Sequence, residues 1–120
     1  KLAVCTKPLY SMSRHTSSLL QWLTYYVELG FDSVDVYDLD GSAGFAVDAL
    51  RRSDSRFADA IEYFPSFPRE HARLRNLSLG AEVGGLHWAG ADCLAPLQQA
   101  HCLMSHRSLG TEWLLSWLAP

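Results

Sequence analysis

The sequence predicts an α/β fold: a mostly parallel sheet of about four strands with helices on both faces. Two observations lead to this prediction. Short apolar, β-rich runs alternate along the chain with segments of helical periodicity, and Gly, Pro, Asp or Ser residues separate them. Right-handed crossovers between such units give parallel strands, and ligands then bind beyond the carboxyl ends of those strands. The fold class therefore also predicts where a functional site lies.

The first half of the chain supplies the best-defined elements. Residues 2–5 form an apolar strand that ends at Pro8, which cannot donate to a ladder, and residues 33–38 form a second strand with period-two alternation. A helix joins the two strands. Five of its side chains fall on one helical face, as the spacing i, i+1, i+4, i+7, i+8 requires: Leu19, Leu20, Leu23, Tyr26 and Val27.

Hydroxyl and glycine residues mark the expected ends of this helix. Ser13 and Thr16 are candidate N-caps, because a side-chain oxygen there can accept from an unpaired backbone N–H. Gly30 is expected as a left-handed C-terminal cap.

The second half is predicted by the same reasoning, with one gap. Residues 43–57 have helical spacing, residues 60–64 form a third strand, residues 97–109 form another helix, and residues 113–118 form a fourth strand. The segment 69–96 contains four glycines and no sustained period. A structureless loop of that length is uncommon in a compact domain, so we expect an insertion there.

Composition excludes several classes of function. The 120 residues carry a formal net charge of −3, and the nearest basic cluster, Arg69, Arg73 and Arg75, is interrupted by Glu70 and His71. That cluster suits a solvated loop or a site for a few phosphates, and not a nucleic-acid groove. No apolar run approaches the ~20 residues that span a bilayer.

Because the chain begins with Lys1 and a strand, we expect it to be part of a longer protein.

The three cysteines, Cys5, Cys93 and Cys102, leave two interpretations open. An odd count at irregular spacing is not a disulfide framework, although one bridge is compatible with a secretory compartment. Cys102 and His106 are four residues apart on a predicted helix, which places two potential zinc ligands on one face, with His87 and His101 nearby in sequence. The alternative is that the cysteines are buried as small apolar groups.

Candidate binding residues follow the first two strands. Asp38 and Asp40 lie at the end of strand two, where a carboxylate can accept from a ribose hydroxyl or a base N–H. The same Asp-x-Asp-Gly pattern is typical of an Asx turn in a βα connection. Lys7 follows strand one and suits a diphosphate, or it is simply a solvated side chain.

Other nucleotide-binding and catalytic motifs are absent from the sequence. The residues after strand one match neither the P-loop nor the dinucleotide-binding pattern, and there is no G-x-S-x-G nucleophile elbow. Trp22 and Trp88 have the flat apolar faces that stack on sugars, but Trp22 stands beside Leu23 in the helix and is expected to pack in the core.

Three stretches of the chain resemble glycosyltransferase family 92. The first is the helix of residues 20–31 with the strand that ends Val36-Tyr37-Asp38. The second is Gln98-Gln99-Ala100-His101-Cys102-Leu103, similar to the family's Gln-x-x-x-x-Cys-Leu helix, and the third is Glu112-Trp113-Leu114-Leu115, similar to the stretch that opens its next strand. Their order and separations fit the family over most of the chain outside the segment 69–96.

The resemblance implies a GT-A (Rossmann-like) fold, here partial, that binds a nucleotide-sugar donor, often UDP-galactose, and transfers the sugar to a glycan hydroxyl. By position, Thr6 and Lys7 would edge the base pocket, Asp38 and Asp40 would sit near the nucleoside, and Gln98 would lie near the donor. Family members use a divalent metal, usually Mn²⁺, and act in the Golgi or secretory pathway. Any membrane anchor would lie outside this chain.

One departure from the family concerns the metal site. The family's Trp-containing strand runs into Asp-x-Asp-Glu-Phe, whose oxygens hold the metal against the diphosphate. Here Leu118 and Pro120 stand about where the two aspartates would be, and neither side chain can ligate a metal. Residues 1–120 are therefore expected to be the nucleotide-sugar-binding portion of an incomplete transferase domain, inactive alone, with no metal ligands and no assigned catalytic residue.

Two other functions fit the same order of strands and helices. One is a non-catalytic nucleotide- or partner-binding α/β module that lacks the metal motif. The other is a receiver-like signalling domain, which would carry an acidic pocket after strand one, where this chain has Thr6-Lys7-Pro8.

Overall fold

The computed structural model describes residues 1–65 and 95–118 of the chain. In chain order the elements are β1 (Leu2–Thr6), a 3₁₀ turn (Met12–His15), α1 (Thr16–Glu28), β2 (Ser33–Tyr37), α2 (Gly44–Ser53), α3 (Ser55–Ala60), β3 (Ile61–Phe64), α4 (Ala95–Ser108) and β4 (Trp113–Leu118). The insertion predicted for 69–96 lies almost wholly outside the described residues.

The strands form a four-stranded sheet in the order β3-β2-β1-β4, with every pair parallel. Cys5 is opposite Asp35 across β1 and β2, and Thr6 is opposite Leu118 across β1 and β4. The register between β1 and β4 shifts between Val4 and Thr6, at the carboxyl end of β1. The predicted α/β class with a parallel sheet is confirmed.

Alternation along the strands divides the buried side chains between two faces of the sheet. Val4, Val34 and Val36 belong to a core cluster that also contains side chains of α1, α2 and α3. Cys5 and Tyr37, one position further along each strand, belong to a second cluster that includes side chains of α4. Helices therefore cover both faces, as predicted.

Helix α1 packs on the first face through the predicted side chains. Leu19, Leu23 and Val27 are buried, and Leu20 and Tyr26 are partly buried against the same core. Trp22 also packs there, with its ring centroid 4.8 Å from that of Tyr26, so the expectation that it belongs to the core is confirmed.

Two local predictions in this half were wrong. Neither Ser13 nor Thr16 caps α1: its N-cap is His15, which makes no side-chain cap hydrogen bond, and the Thr16 hydroxyl donates to the carbonyl of Ser13. The single helix predicted for 43–57 is two helices, because Asp54 is extended (φ −158°) and its carboxylate accepts from the N–H of Arg56. An Asp that caps a new helix competes with continuation of the preceding one.

The remaining boundaries follow the sequence closely. Gly30 and Gly110 have positive φ angles of 93° and 71° and end α1 and α4, as expected for left-handed caps. Among the described residues, no helix has both the length and the apolar character needed to cross a bilayer.

Candidate functional site

The strand order predicts that a ligand-binding crevice lies beside the end of β1. From β1 the chain moves to β2 and β3 on one side, and it returns through α4 to β4 on the other side. In such sheets the crevice opens outside the carboxyl ends of the strands where this change of direction occurs. Here those ends are Thr6 of β1 and Leu118 of β4, which are opposite each other in the register.

Thr6 and Gln98 are joined directly at this edge. The side-chain amide of Gln98 donates to the carbonyl oxygen of Thr6 (2.8 Å), and the Thr6 hydroxyl oxygen accepts from the N–H of Tyr37 (3.0 Å). Both side chains are fully buried. The Oε1 atom of Gln98 is buried and finds no hydrogen-bond partner among the described residues. A buried acceptor without a partner is costly, and a water molecule or a ligand can supply the missing donor.

Asp38 is fully buried and holds the β2–α2 connection. Its carboxylate accepts from the N–H groups of Gly41 (3.1 Å) and Ala43 (2.9 Å) and from the hydroxyl of Tyr63 (2.6 Å). Burial raises the pKa of Asp38, and the bonds from Tyr63 and Ala43 work in the opposite direction. The expected turn role is therefore confirmed.

Asp40 joins the loops that follow β1 and β2. Its Oδ2 accepts from the N–H of Ser11 (2.9 Å), and its Oδ1 accepts from the N–H and the hydroxyl of Ser42. Partial burial opposes the charge of Asp40, but these bonds outweigh it and lower the pKa of the carboxyl. Asp40 is thus an exposed, charged group at the sheet edge.

Lys7 directly follows β1 and is exposed. The five predicted residues Thr6, Lys7, Asp38, Asp40 and Gln98 therefore all follow or adjoin the carboxyl ends of β1 and β2. Their exposure differs: Lys7 and Asp40 face solvent, whereas Thr6, Asp38 and Gln98 are buried.

The sequence did not predict how Cys5 and Cys102 are used. They form a disulfide that links β1 to α4 across 97 residues, and both are fully buried. Beside the disulfide, Asp35 and His106 form a buried pair with 2.7 Å between Oδ2 and Nε2. The sequence did contain a signal that could have placed Asp35 beside α4. Asp35 lies in β2 between Val34 and Val36, so alternation puts its side chain on the opposite face of the sheet, which α4 covers.

The Asp35–His106 pair continues to Thr111, whose hydroxyl oxygen lies 2.9 Å from Nδ1 of His106. This order of groups is that of a hydrolytic triad. Thr111, however, lies between α4 and β4, at the amino edge of the sheet, and the imidazole is only 2% exposed. Parallel α/β sheets bind ligands at the other edge, so the arrangement suits a structural or metal-binding role better.

An aromatic cluster packs on the same sheet face. The rings of Tyr37 and Phe64 are stacked with centroids 4.7 Å apart, and the Tyr37 hydroxyl lies 2.7 Å from Nδ1 of His101 on α4. Burial, followed by the charges of Asp35 and Glu62, raises the pKa of Tyr37. The phenol of Tyr37 therefore stays protonated while its hydroxyl is hydrogen-bonded to Nδ1 of His101.

The metal implied by the family resemblance does not fit the described residues. One group of three or more potential ligands lies together in this part of the chain, Cys5, Asp35 and His106, and its sulfur and nitrogen donors do not suit Mn²⁺. The side chains of Leu118 and Pro120 lie outside the described residues, as do Arg69, Arg73, Arg75, Trp88 and Cys93.

Comparison of the chain with protein-family models, curated proteins and solved structures gives no match. The relationship to glycosyltransferase family 92 thus stays a prediction from the residues quoted above.

Proposed function

We propose that this chain is the nucleotide-sugar-binding part of a GT-A glycosyltransferase-like domain, whose parent protein transfers a sugar, with galactose the first candidate, to a glycan hydroxyl. The observation that carries the proposal is the strand order β3-β2-β1-β4. It puts the change of chain direction beside Thr6 and gathers the predicted donor-binding residues at one edge of the sheet.

Lys7 and Asp40 are the residues proposed to touch the donor. Lys7 is exposed and offers three N–H donors and a positive charge for a diphosphate. Asp40 is exposed and ionised, and its Oδ2 keeps a lone pair because it accepts only from Ser11, whereas Oδ1 already accepts two bonds from Ser42. It therefore suits the hydroxyls of a ribose.

The buried residues are proposed to hold the backbone in place at this edge of the sheet. Gln98 fixes the carbonyl of Thr6, and Asp38 fixes the turn that carries Asp40. Helix α4 starts three residues before Gln98, so its positive amino end lies at the same edge and favours a bound anion.

The test is to measure the binding of UDP and UDP-galactose to the chain by calorimetry and by the NMR shifts of the residues around Thr6. Removing the ammonium in Lys7→Ala is expected to weaken UDP binding about tenfold, which corresponds to ~1.4 kcal/mol. Lys1→Ala is the matched control, because Lys1 precedes the same strand at the opposite edge of the sheet. Equal affinities for both variants, or no binding at millimolar UDP, would overturn the proposal.

Sugar transfer needs a separate measurement in the longer protein that carries this chain. Release of UDP from UDP-galactose that depends on a glycan acceptor supports the transferase. Stoichiometric UDP binding without any transfer supports the non-catalytic binding module instead. The sequence feature behind that alternative is that Leu118 and Pro120 stand about where the family has its two metal-binding aspartates.

A further inference from the structure

Four potential metal ligands meet under α4, away from the proposed donor site. Cys5 and Asp35 are register partners on neighbouring strands, so their side chains lie on the same face of the sheet. Cys102 and His106 lie four residues apart on the helix that covers this face, and i, i+4 side chains share one side of a helix. All four are almost completely buried, with exposures between 0% and 3%.

The distances suit one small ion. Oδ2 of Asp35 lies 2.7 Å from Nε2 of His106 and 3.7 Å from Sγ of Cys5, and the three ligand atoms lie within 4.8 Å of one another. Zn–S bonds of about 2.3 Å and Zn–N or Zn–O bonds of about 2.0 Å in a tetrahedron put ligand atoms about 3.3–3.8 Å apart. Small side-chain shifts reach that geometry. Sγ of Cys102 is bonded to Sγ of Cys5 and is therefore already beside the same point.

Outer hydrogen bonds already orient two of the ligands. Nδ1 of His106 lies 2.9 Å from the Thr111 hydroxyl oxygen, which leaves Nε2 directed at Asp35. The Ser33 hydroxyl donates to Oδ1 of Asp35 (2.6 Å), which leaves Oδ2 directed at Nε2. Metal-binding His and Asp residues usually have such partners, which fix the ring orientation and the tautomer.

We propose that reduction of the Cys5–Cys102 disulfide converts this cluster into a buried tetrahedral Zn²⁺ site. The ligands are the two thiolates, Nε2 of His106 and Oδ2 of Asp35. Two sulfurs, one imidazole and one carboxylate make a set that favours zinc over the oxygen-seeking Mn²⁺ or Mg²⁺. With four protein ligands the site is closed, so its role is structural.

The chemistry balances with a dithiol or phosphine as reductant. The reductant gives two electrons to the disulfide, the S–S bond breaks, and each sulfur takes a proton. Zn²⁺ then displaces the two thiol protons, which leave to solvent, and a neutral imidazole binds through Nε2 with its own proton on Nδ1 facing Thr111. β1 and α4 thus stay connected in both states, by a covalent bond when oxidised and by the metal when reduced.

The experiment uses Co²⁺ as a spectroscopic probe, followed by Zn²⁺. The chain is prepared with Cys93→Ser, so that Cys5 and Cys102 are its only cysteines, and is reduced with a phosphine without oxygen. The expected result is one Co²⁺ per chain, with thiolate charge-transfer bands in the near ultraviolet and tetrahedral bands in the visible, both abolished by one equivalent of Zn²⁺. The oxidised chain is expected to show neither. Reduced protein without thiolate bands overturns the proposal.

Variants then test the other two ligands. His106→Gln and Asp35→Asn are expected to weaken Co²⁺ binding at least tenfold. His15→Gln, which changes an exposed histidine, is the matched control and is expected to bind as the parent does. Wild-type-like affinity in both folded ligand variants contradicts the proposed ligand set. If either variant fails to fold, the comparison of reduced and oxidised parent protein still decides whether the thiolates bind metal.

Discussion

The hydroxyl of Tyr63 on β3 donates to the buried carboxylate of Asp38, which follows β2, over 2.6 Å. The bond ties the edge strand to the turn that carries Asp40. It also supplies a donor to a carboxylate whose pKa is raised by burial. Bonds to a charged acceptor are among the stronger contributions a single hydroxyl makes to a fold.

Tyr63→Phe is therefore expected to lower the free energy of unfolding by about 1.5–3 kcal/mol. It is also expected to raise the pKa of Asp38 further, because the lost bond favours the ionised form. Urea unfolding measures the first effect and carboxyl NMR titration the second. Tyr25→Phe, on an exposed tyrosine of α1, is the control and is expected to unfold like the parent. Equal unfolding midpoints for the two variants would contradict the prediction.

The effect of Gly44→Ala on the free energy of unfolding is expected to change sign with the residue at position 63. A Cβ at Gly44 would meet the Tyr63 hydroxyl at 3.0 Å, and that hydroxyl is held by Asp38 and cannot easily move. The substitution alone should destabilise the chain. In Tyr63→Phe the next ring atom is 3.7 Å away, an ordinary contact, and Ala then gains helix propensity, by less than the ~1 kcal/mol of a helix interior because Gly44 is the first residue of α2. A double-mutant cycle in urea measures the coupling, and additive effects would refute the explanation.

Reduction of the Cys5–Cys102 disulfide with a chelator present is expected to lower the free energy of unfolding by about 2–4 kcal/mol. The bridge closes a long loop, with 97 residues of separation, and so restricts the unfolded chain strongly. Urea unfolding of oxidised and reduced protein measures the difference. In the variant with Cys5→Ala and Cys102→Ala the reductant should have no effect. Identical midpoints for oxidised and reduced parent protein would show that the bridge does not stabilise the fold.

Ser42→Ala is expected to raise the pKa of Asp40, because it removes one of the bonds that lower it. In the parent protein the native pKa of Asp40 is below the ordinary value of 3.8. The native state then binds fewer protons than the unfolded state. The contribution of Asp40 to stability is therefore complete above pH 3.8 and is lost as the pH falls through its native pKa. Carboxyl NMR measures both pKa values, and an unchanged pKa in the variant would contradict the assignment.

Several elements could be predicted because their information is local. Apolar periodicity identified α1 and its buried face, alternation identified β2, and Gly30 and Gly110 marked helix ends because positive φ favours glycine. The division of 43–57 into two helices was missed. Asp54 caps the second of these helices, and this cap competes with continuation of the first. The spacing of apolar residues carries no information about that competition.

The candidate site was predicted in part for the same reason. Residues that follow parallel strands meet at one edge, so Thr6, Lys7, Asp38 and Asp40 could be placed from the order of elements alone. Whether each of these side chains is buried or exposed could not be predicted in this way. Only the packed structure shows that Asp38 is enclosed by Gly41, Ala43 and Tyr63 while Asp40 faces solvent.

The sequence by itself determined the α/β class, the parallel sheet and the edge of the sheet at which the candidate binding residues lie, because helical and strand periods and turn residues act over a few positions. Tertiary structure alone decided which cysteine pairs with Cys5, and that Asp35 meets His106 across 71 residues. Those contacts depend on the register between β1 and β2 and on the seating of α4 over one face of the sheet. Both are set by the packing of the whole core and not by any local pattern.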